Sequence, residues 1–142
     1  MRVSQVNGVD TMNWLTQRGV SAMLPATDAL AGIAPETDRV FVVRLMAEST
    51  WGFKVGMWVS ALMWLITPIF TVFAPLPAVL LPAGLADRHA SRMARHRLYL
   101  VRQCAGLLKL VAGMAWAIDP DVRERMTLPP LADDPGEWMK AS

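Results

Sequence analysis

The segment from Val55 to Ala86 contains no Asp, Glu, Lys, Arg or His over 32 consecutive residues. About 20 apolar residues suffice to cross a bilayer as a helix, so membrane contact is the leading interpretation. Four prolines interrupt the segment: Pro68, Pro75, Pro77 and Pro82. A proline inside a helix removes a hydrogen bond and kinks or ends the helix. The chain must therefore accommodate a long apolar segment in pieces, and one straight spanning helix over its whole length is excluded.

Composition limits the other possibilities. A chain of 142 residues forms about one domain. Charged residues make up 18% and hydrophobic residues 54%, which is fewer charges and more apolar residues than in a typical soluble domain. A formal charge of +2 is too small to indicate nucleic-acid binding. The single cysteine, Cys104, cannot form an internal disulfide.

Helical periodicity predicts an all-α fold of long helices with a proline-broken, membrane-associated apolar segment. We expect four segments: residues 1–36, a tail with short helices; residues 37–86, a helix that runs into the apolar segment; residues 87–126, a basic amphipathic helix and an Asp-Pro turn; and residues 127–142, a proline-rich acidic tail. In the second segment, Thr37 or Asp38 would cap a helix that continues through Trp51 to Phe73. That helix would enter the membrane near Lys54.

The attachment itself can take three forms. A kink at Pro68 allows one span followed by an interfacial segment, the chain can form a monotopic hairpin with both ends on one side, or the apolar surface can dock on another protein. Aromatic and leucine side chains of this region would contact lipid. The predicted membrane-anchoring residues are Trp51, Trp58, Trp64, Phe70, Phe73, Leu80 and Leu81. Gly52, Gly56 and Ser60 recur every four residues and could form a helix-packing face, or a stretch of helix without a partner.

A second long helix is predicted from Arg88 to Ala117, with Asp87 as its N-cap. Five basic residues would form a stripe on one face of this helix: Arg88, Arg92, Arg95, Arg102 and Lys109. The stripe can be a solvated helix face, or it can contact anionic lipid headgroups, and both can hold. His89 and His96 share a face, but two imidazoles about 10 Å apart cannot ligate one ion, so no metal site is expected.

The region after this helix contains two features of interest. Asp119 is placed to cap a short following helix, and Pro120 suits the first position of that helix. The tail carries Trp138, an aromatic residue of the kind that anchors protein interfaces. No phosphate-binding glycine motif and no nucleophile motif occurs in the chain, so catalysis by this chain alone is not expected.

Residues 84–123, GLADRHASRMARHRLYLVRQCAGLLKLVAGMAWAIDPDVR, resemble a known family segment. The segment precedes the flavin domain in long-chain alcohol oxidases and similar membrane-associated oxidoreductases of the glucose-methanol-choline type. The matching features are the arginine-rich run from Arg92 to Arg102, the leucines and lysine of residues 107–110, Trp116, and the Asp-Pro-x-Val turn of residues 119–122. Two features differ: Ala117 stands where the family often has a second aromatic, and Thr127-Leu128-Pro129 stands where a Gly-Tyr-like sequence tends to follow.

The resemblance implies a function by association. Since the flavin domain is absent here, the chain would be a separate, non-catalytic small subunit that docks a flavin-dependent alcohol or sterol dehydrogenase or oxidase at the membrane. FAD would be bound by the larger partner, and this chain would hold no cofactor. Trp116, Asp119, Pro120 and Trp138 would contact that partner. The alternative is a structural or assembly subunit of an unrelated membrane complex. The excess of basic residues after the apolar segment places the C-terminal part on the cytoplasmic side of the inner membrane.

Overall fold

The computed structural model describes residues 8–24 and 35–129. These residues form seven α-helices and one 3₁₀ turn, and no strand occurs among them, which confirms the all-α prediction. The elements are α1 (Gly8–Ser21), α2 (Pro35–Glu48), α3 (Trp51–Ile66), α4 (Pro68–Thr71), the 3₁₀ turn Ala78–Leu80, α5 (Ala83–Ala94), α6 (Tyr99–Ile118) and α7 (Pro120–Arg125).

The core forms around α3 and α6, which pack against each other. Helix α1 covers both of them, α2 packs on α1 and α6, and α5 lies along α6. Buried apolar side chains from five helices meet in this core: Leu15, Val20, Val42, Met46, Met57, Ala61, Met93, Val101, Ala105 and Leu108. The apolar segment therefore contributes one face of α3 to an ordinary helical core.

The first long helix is divided, contrary to the prediction. Helix α2 ends at Glu48, and Thr50 adopts an extended conformation (φ −65°, ψ 156°) before α3 begins. The Ser49 hydroxyl and the Ser49 N–H both donate to the Leu45 carbonyl at the end of α2. Asp38 is not the N-cap, because α2 already begins at Pro35 and the carboxyl group of Asp38 lies inside the helix and is buried.

The helix is interrupted at Pro68, as the sequence predicted. Helix α3 ends at Ile66, Thr67 keeps right-handed helical angles (φ −77°, ψ −6°), and Pro68 opens the short helix α4. The Thr67 hydroxyl and N–H both donate to the Met63 carbonyl, at 2.6 and 3.1 Å, so helical hydrogen bonding continues to the residue before Pro68. The helical path then ends at Thr71, earlier than the predicted Phe73.

The second long helix is also divided. Helix α5 begins at Ala83, so Asp87 lies within it and is not its N-cap. The helix ends at Ala94, and residues 95–98 form a turn in which the Leu98 N–H donates to Nδ1 of His96 at 3.2 Å. No proline or glycine occurs in this turn. The turn lets α5 fold back against α6, so the packing of these two helices explains the break.

The three small residues of α3 have different surroundings. A Cβ atom at Gly56 would lie 3.5 Å from Cδ2 of Leu107 on α6, which is ordinary van der Waals contact. Ser60 is buried, and its hydroxyl donates to the Gly56 carbonyl at 2.8 Å. A Cβ at Gly52 would meet no atom within 4 Å. Gly56 therefore faces Leu107 of α6, Ser60 lies in the core, and Gly52 lies outside these contacts.

Candidate functional site

Most of the predicted anchoring side chains lie on the surface. Trp51 is 69% exposed, Phe70 71% and Phe73 81%, and Leu80 is also exposed. Trp58 and Leu81 are partly buried against the core. Trp64 corrects the prediction, because it is almost fully buried. Its ring lies 3.6 Å from the position of a Cβ on Gly19 of α1, so Trp64 is a core residue and does not face lipid.

Helix α3 is apolar on two opposite faces. Its inner face carries the buried residues Met57, Ser60, Ala61 and Trp64. Its outer face carries exposed apolar residues at intervals of three or four: Trp51, Val55, Val59, Leu62 and Ile66. A surface helix normally has polar residues opposite its core face. The outer face of α3 has none, which is unusual for a helix in contact with water.

The exposed apolar residues continue beyond α3. The segment from α4 to the 3₁₀ turn adds Ile69, Phe70, Phe73, Leu76, Val79 and Leu80. We call these six residues, together with the five on the outer face of α3, the apolar face. Soluble monomers seldom expose apolar side chains in such numbers along one continuous segment, and contiguous exposed apolar patches mark sites of interaction with proteins or membranes.

Aromatic side chains and a lysine lie at the beginning of the apolar face. The rings of Trp51 and Trp58 contact edge to face, with centroids 5.5 Å apart and an interplanar angle of 85°. Lys54 lies between them in sequence, as the single charged residue of α3. Tryptophan and lysine are the residues that position helices at the headgroup layer, since the indole is amphipathic and the lysine chain can extend its ammonium to water.

Phe73 adopts a backbone conformation that favours glycine. Its φ is 55°, in the left-handed region, and its side chain is the most exposed of the large apolar residues. A bulky residue in this region costs energy, and the cost persists where another requirement outweighs it. The ring is 81% exposed, so its contacts within the described chain do little to offset this cost.

Substitution of Phe73 by glycine measures the cost of this backbone conformation. Phe73→Gly is expected to stabilise the fold by about 0.5–1 kcal/mol, because glycine adopts this φ without strain. Phe70→Gly is the matched control, since it removes an equally exposed ring from inside α4 and should destabilise the fold by about 1 kcal/mol. Urea denaturation followed by circular dichroism measures both. Loss of stability in Phe73→Gly would show that the ring serves the fold itself.

A buried histidine joins α5 to the proline break. His89 is fully buried, and its Nε2 lies 2.9 Å from the Trp64 carbonyl. Pro68 has no N–H to donate to that carbonyl, which would be its helical partner four residues back. Since a carbonyl can only accept, Nε2 of His89 carries the proton and donates. His89 therefore supplies the hydrogen bond that Pro68 removes from the helix.

The other ring nitrogen completes this cluster. Nδ1 of His89 lies 2.5 Å from the Thr71 hydroxyl, which donates to it when the ring is neutral. The Thr71 carbonyl, at the end of α4, accepts from a guanidinium nitrogen of Arg92 at 2.5 Å. Burial lowers the pKa of His89, and the hydrogen bond to the Trp64 carbonyl opposes this effect without reversing it. The neutral imidazole is thus a structural group, and metal ligation by His89 has no support.

Asp38 of α2 is another buried titratable side chain. One carboxylate oxygen accepts from the Ser21 hydroxyl at the end of α1, and the other has no hydrogen-bond partner. Burial raises the pKa of Asp38, and the hydrogen bond from Ser21 opposes the rise. Asp38 thus links α1 to α2 and is not part of the apolar face.

The predicted basic stripe is interrupted by the turn between α5 and α6. Arg88 and Arg92 lie on α5, Arg95 is at its C-cap, and Arg102 and Lys109 lie on α6. The five are all exposed, but they do not follow one helix axis. Arg102 instead lies over the ring of Tyr99, 5.5 Å from its centroid. The turn brings Arg95 close to Arg92 and Arg97, and this group of arginines replaces the predicted stripe.

The charges of the chain are strongly segregated. Residues 49–118 contain seven Lys or Arg and one acidic residue, Asp87, whereas the sequence on either side has an excess of acidic residues. The net charge of +2 hides this difference. The part of the chain that carries the apolar face is therefore also its strongly basic part.

The structure describes three of the four residues that were predicted to contact a partner. Trp116 is half-buried on α6. Asp119 is buried and caps α7, accepting from the backbone N–H groups of Asp121 at 3.0 Å and Val122 at 3.2 Å, and Pro120 is the exposed first residue of that helix. These contacts give Asp119 a structural role. Trp138 lies outside the described residues.

One helix in the described part of the chain, α6, is long and apolar enough to cross a membrane. The sequence had placed the membrane segment at residues 55–86 instead, where α3 is a shorter apolar helix. Helix α6 buries one face in the core through Val101, Leu108 and Val111. The core helix of a soluble bundle can have the same length and composition, so α6 by itself does not carry a membrane assignment.

Comparison of the chain with protein-family models, with curated proteins and with solved structures finds no match. The likeness of residues 84–123 to the alcohol oxidases therefore stays a prediction. Within residues 8–24 and 35–129, no group of three or more His, Cys, Asp or Glu side chains could hold a metal ion. The apolar face and the adjoining arginines are therefore the candidate functional surface of the described chain.

Proposed function

We propose that this chain is a non-catalytic helical protein that lies on a membrane surface and attaches a partner protein there. The observation that carries the proposal is the apolar face: eleven exposed apolar side chains along α3, α4 and the 3₁₀ turn. Removal of apolar surface from water is favourable by about 25 cal/mol per Å². Contact with the acyl region of a bilayer would remove this face from water while the core of the bundle stays intact.

Attachment in the plane of the interface fits the dimensions better than a crossing. Helix α3 has 16 residues, about 24 Å of helix, which is shorter than the bilayer core of about 30 Å. Its inner face also packs against α1, which carries polar residues. A crossing by α3 would draw α1 into the hydrocarbon, where polar groups are costly. An interfacial position leaves α1 and α2 in water.

The charge segregation supports an anionic membrane surface. The basic part of the chain adjoins the apolar face, and anionic leaflets attract such residues by about 1 kcal/mol for each Lys or Arg near the surface. The cytoplasmic face of the inner membrane is the corresponding location in the proposal. The buried ionisable side chains His89, Asp38 and Asp119 have structural partners, which agrees with a non-catalytic role.

The partner is the narrower part of the proposal. Residues 84–123, which resemble the flavin-dependent alcohol oxidases, coincide with α5, α6 and most of α7. A flavin-dependent alcohol or sterol dehydrogenase or oxidase docked on these helices would receive a hydrophobic substrate from the bilayer beside it. FAD would belong to that larger subunit. This choice of partner rests on the sequence resemblance alone.

Purification of the tagged full-length chain in mild detergent from its own host tests both parts. We expect the chain to fractionate with membranes and to bring with it a large subunit with a flavin absorption spectrum. A membrane-bound chain that copurifies with an unrelated complex and shows no flavin would contradict the oxidoreductase partner and favour an assembly or structural role. A chain that stays in the soluble fraction would contradict attachment.

A further inference from the structure

A basic groove opens between α4 and the turn that follows α5. It has a volume of about 300 Å³, and its lining includes Phe70, Ser91, Arg92, Arg95, His96 and Arg97. Three of these side chains are guanidinium groups. The groove adjoins the apolar face, because Phe70 belongs to both.

The positive charge of the groove is not neutralised within the described part of the chain. None of the three arginines forms an ion pair with a carboxylate there. The single acidic residue of the basic part, Asp87, lines a different cavity of about 130 Å³ together with Lys109. An anion entering the groove would therefore meet three cationic side chains and no competing carboxylate.

The groove is rich in hydrogen-bond donors. Arg92 is held by its bond to the Thr71 carbonyl, which leaves its other N–H groups free to donate. Nδ1 of His96 accepts from the Leu98 N–H, so the proton of the neutral ring is on Nε2, a donor. Arginine forks match the geometry of phosphate oxygens and bind them with charge-assisted hydrogen bonds. This combination is suited to a phosphate group.

We propose that the groove binds the phosphate of an anionic phospholipid headgroup while the acyl chains of the same lipid lie along the apolar face. The position of Phe70 carries the choice of a lipid over a soluble phosphate, since a ring that is 71% exposed forms an apolar wall beside the arginines. A phosphate joined to acyl chains meets both surfaces at once. This inference rests on the proposed membrane attachment and adds a headgroup preference to it.

The test is flotation of the full-length chain with phosphatidylcholine vesicles that contain or lack phosphatidic acid. The wild-type chain should bind the vesicles with phosphatidic acid more tightly. Arg95→Gln/Arg97→Gln should weaken that binding by about 30-fold, since each arginine near an anionic surface contributes about fivefold. The matched control, Arg88→Gln/Lys109→Gln, removes the same charge outside the groove and should weaken binding by about fivefold or less, because these side chains add only diffuse attraction to the surface, which salt screens.

Four outcomes would overturn the inference. Equal losses in the two variants would indicate diffuse attraction without a site. Equal binding of the wild-type chain to both vesicles would contradict a headgroup site in the groove but would agree with membrane attachment. Binding to neither vesicle would overturn attachment as well. If inorganic phosphate stabilises the wild-type chain against heat, but not Arg95→Gln/Arg97→Gln, and no vesicle binds, the groove is a site for soluble phosphate.

Discussion

The chain with Ile66→Asp and Phe70→Asp is expected to remain folded and to lose its affinity for membranes. Both side chains are exposed, so their replacement leaves the core unchanged. Burial of a large apolar side chain contributes about 1.5–3 kcal/mol, so two of them account for about 3–6 kcal/mol. The partition coefficient onto vesicles, measured by flotation, should fall at least about 100-fold.

The matched control places the same two charges on another helix. Val40 and Val43 of α2 are 57% and 52% exposed and lie outside the apolar face. Val40→Asp/Val43→Asp should keep vesicle binding within about threefold of the wild-type chain, since any repulsion from anionic lipid at that distance is screened. If the two double variants bind equally, the apolar face is not the surface that contacts lipid.

Surface substitutions are a sharper test here than a deletion of residues 55–86. The sequence alone would recommend the deletion, because it removes the whole apolar segment. In the fold, α3 contributes Met57, Ala61 and Trp64 to the core. A deletion would therefore unfold the bundle and report on stability instead of membrane contact.

His89→Leu is expected to destabilise the fold strongly. It leaves the Trp64 carbonyl without the donor that joins α5 to the proline break, whereas the Thr71 hydroxyl can still donate to the Thr67 carbonyl at 3.0 Å. One unsatisfied buried carbonyl costs about 1–3 kcal/mol, and the free energy of unfolding is expected to fall by about that amount. His89→Gln should lose less, because its amide nitrogen can still donate to the Trp64 carbonyl. Urea denaturation at neutral pH measures both variants.

A double-mutant cycle with Pro68 tests the reason for the loss. Pro68→Ala restores a backbone N–H that can donate to the Trp64 carbonyl. In that background, His89→Leu should cost about 1 kcal/mol less than in the wild-type chain, because one acceptor has regained a partner. An unchanged cost would show that the carbonyl freed by Pro68 is not what His89 satisfies.

The same histidine predicts a pH dependence. The pKa of His89 is lowered in the folded state by burial, so protons bind the unfolded chain more readily. Its stabilisation is complete above the unfolded pKa of about 6.5 and is lost as the pH falls through the lowered folded value. The difference in stability between the wild-type chain and His89→Gln should therefore shrink in this acidic range. A difference that is constant with pH would contradict the lowered pKa.

Local chemistry in the sequence predicted some of this architecture and not the rest. The end of α3 before Pro68 follows from the missing N–H of proline. The cap of α7 at Asp119 follows from the carboxylate of aspartate, which accepts hydrogen bonds from the first N–H groups of the helix. The turn at residues 95–98 has no such signal, because the packing of α5 on α6 produces it. Periodicity predicted helices there correctly but joined them into one.

The candidate surface was predicted in composition but not in arrangement. Apolar residues on every side of α3 were evident in the sequence, but which tryptophan faces the core depends on where α1 and α6 pack, and so Trp64 was misassigned. His89 was missed as a structural residue. Pro68 could have indicated it, since a proline in an apolar helix leaves one carbonyl, that of Trp64, in need of a donor. The groove could not be predicted from the sequence, because the turn between α5 and α6 brings its arginines together.

The outer face of α3 is expected to contact lipid. The most direct measurement attaches an environment-sensitive fluorophore through Ile66→Cys, and separately through Val40→Cys, in a Cys104→Ala background. Vesicles with a quencher attached to the acyl chains are then added. We expect the emission from position 66 to shift to shorter wavelength and to be quenched, while position 40 keeps the emission of a label in water. Water-like, unquenched emission from position 66 in the presence of vesicles would contradict the claim.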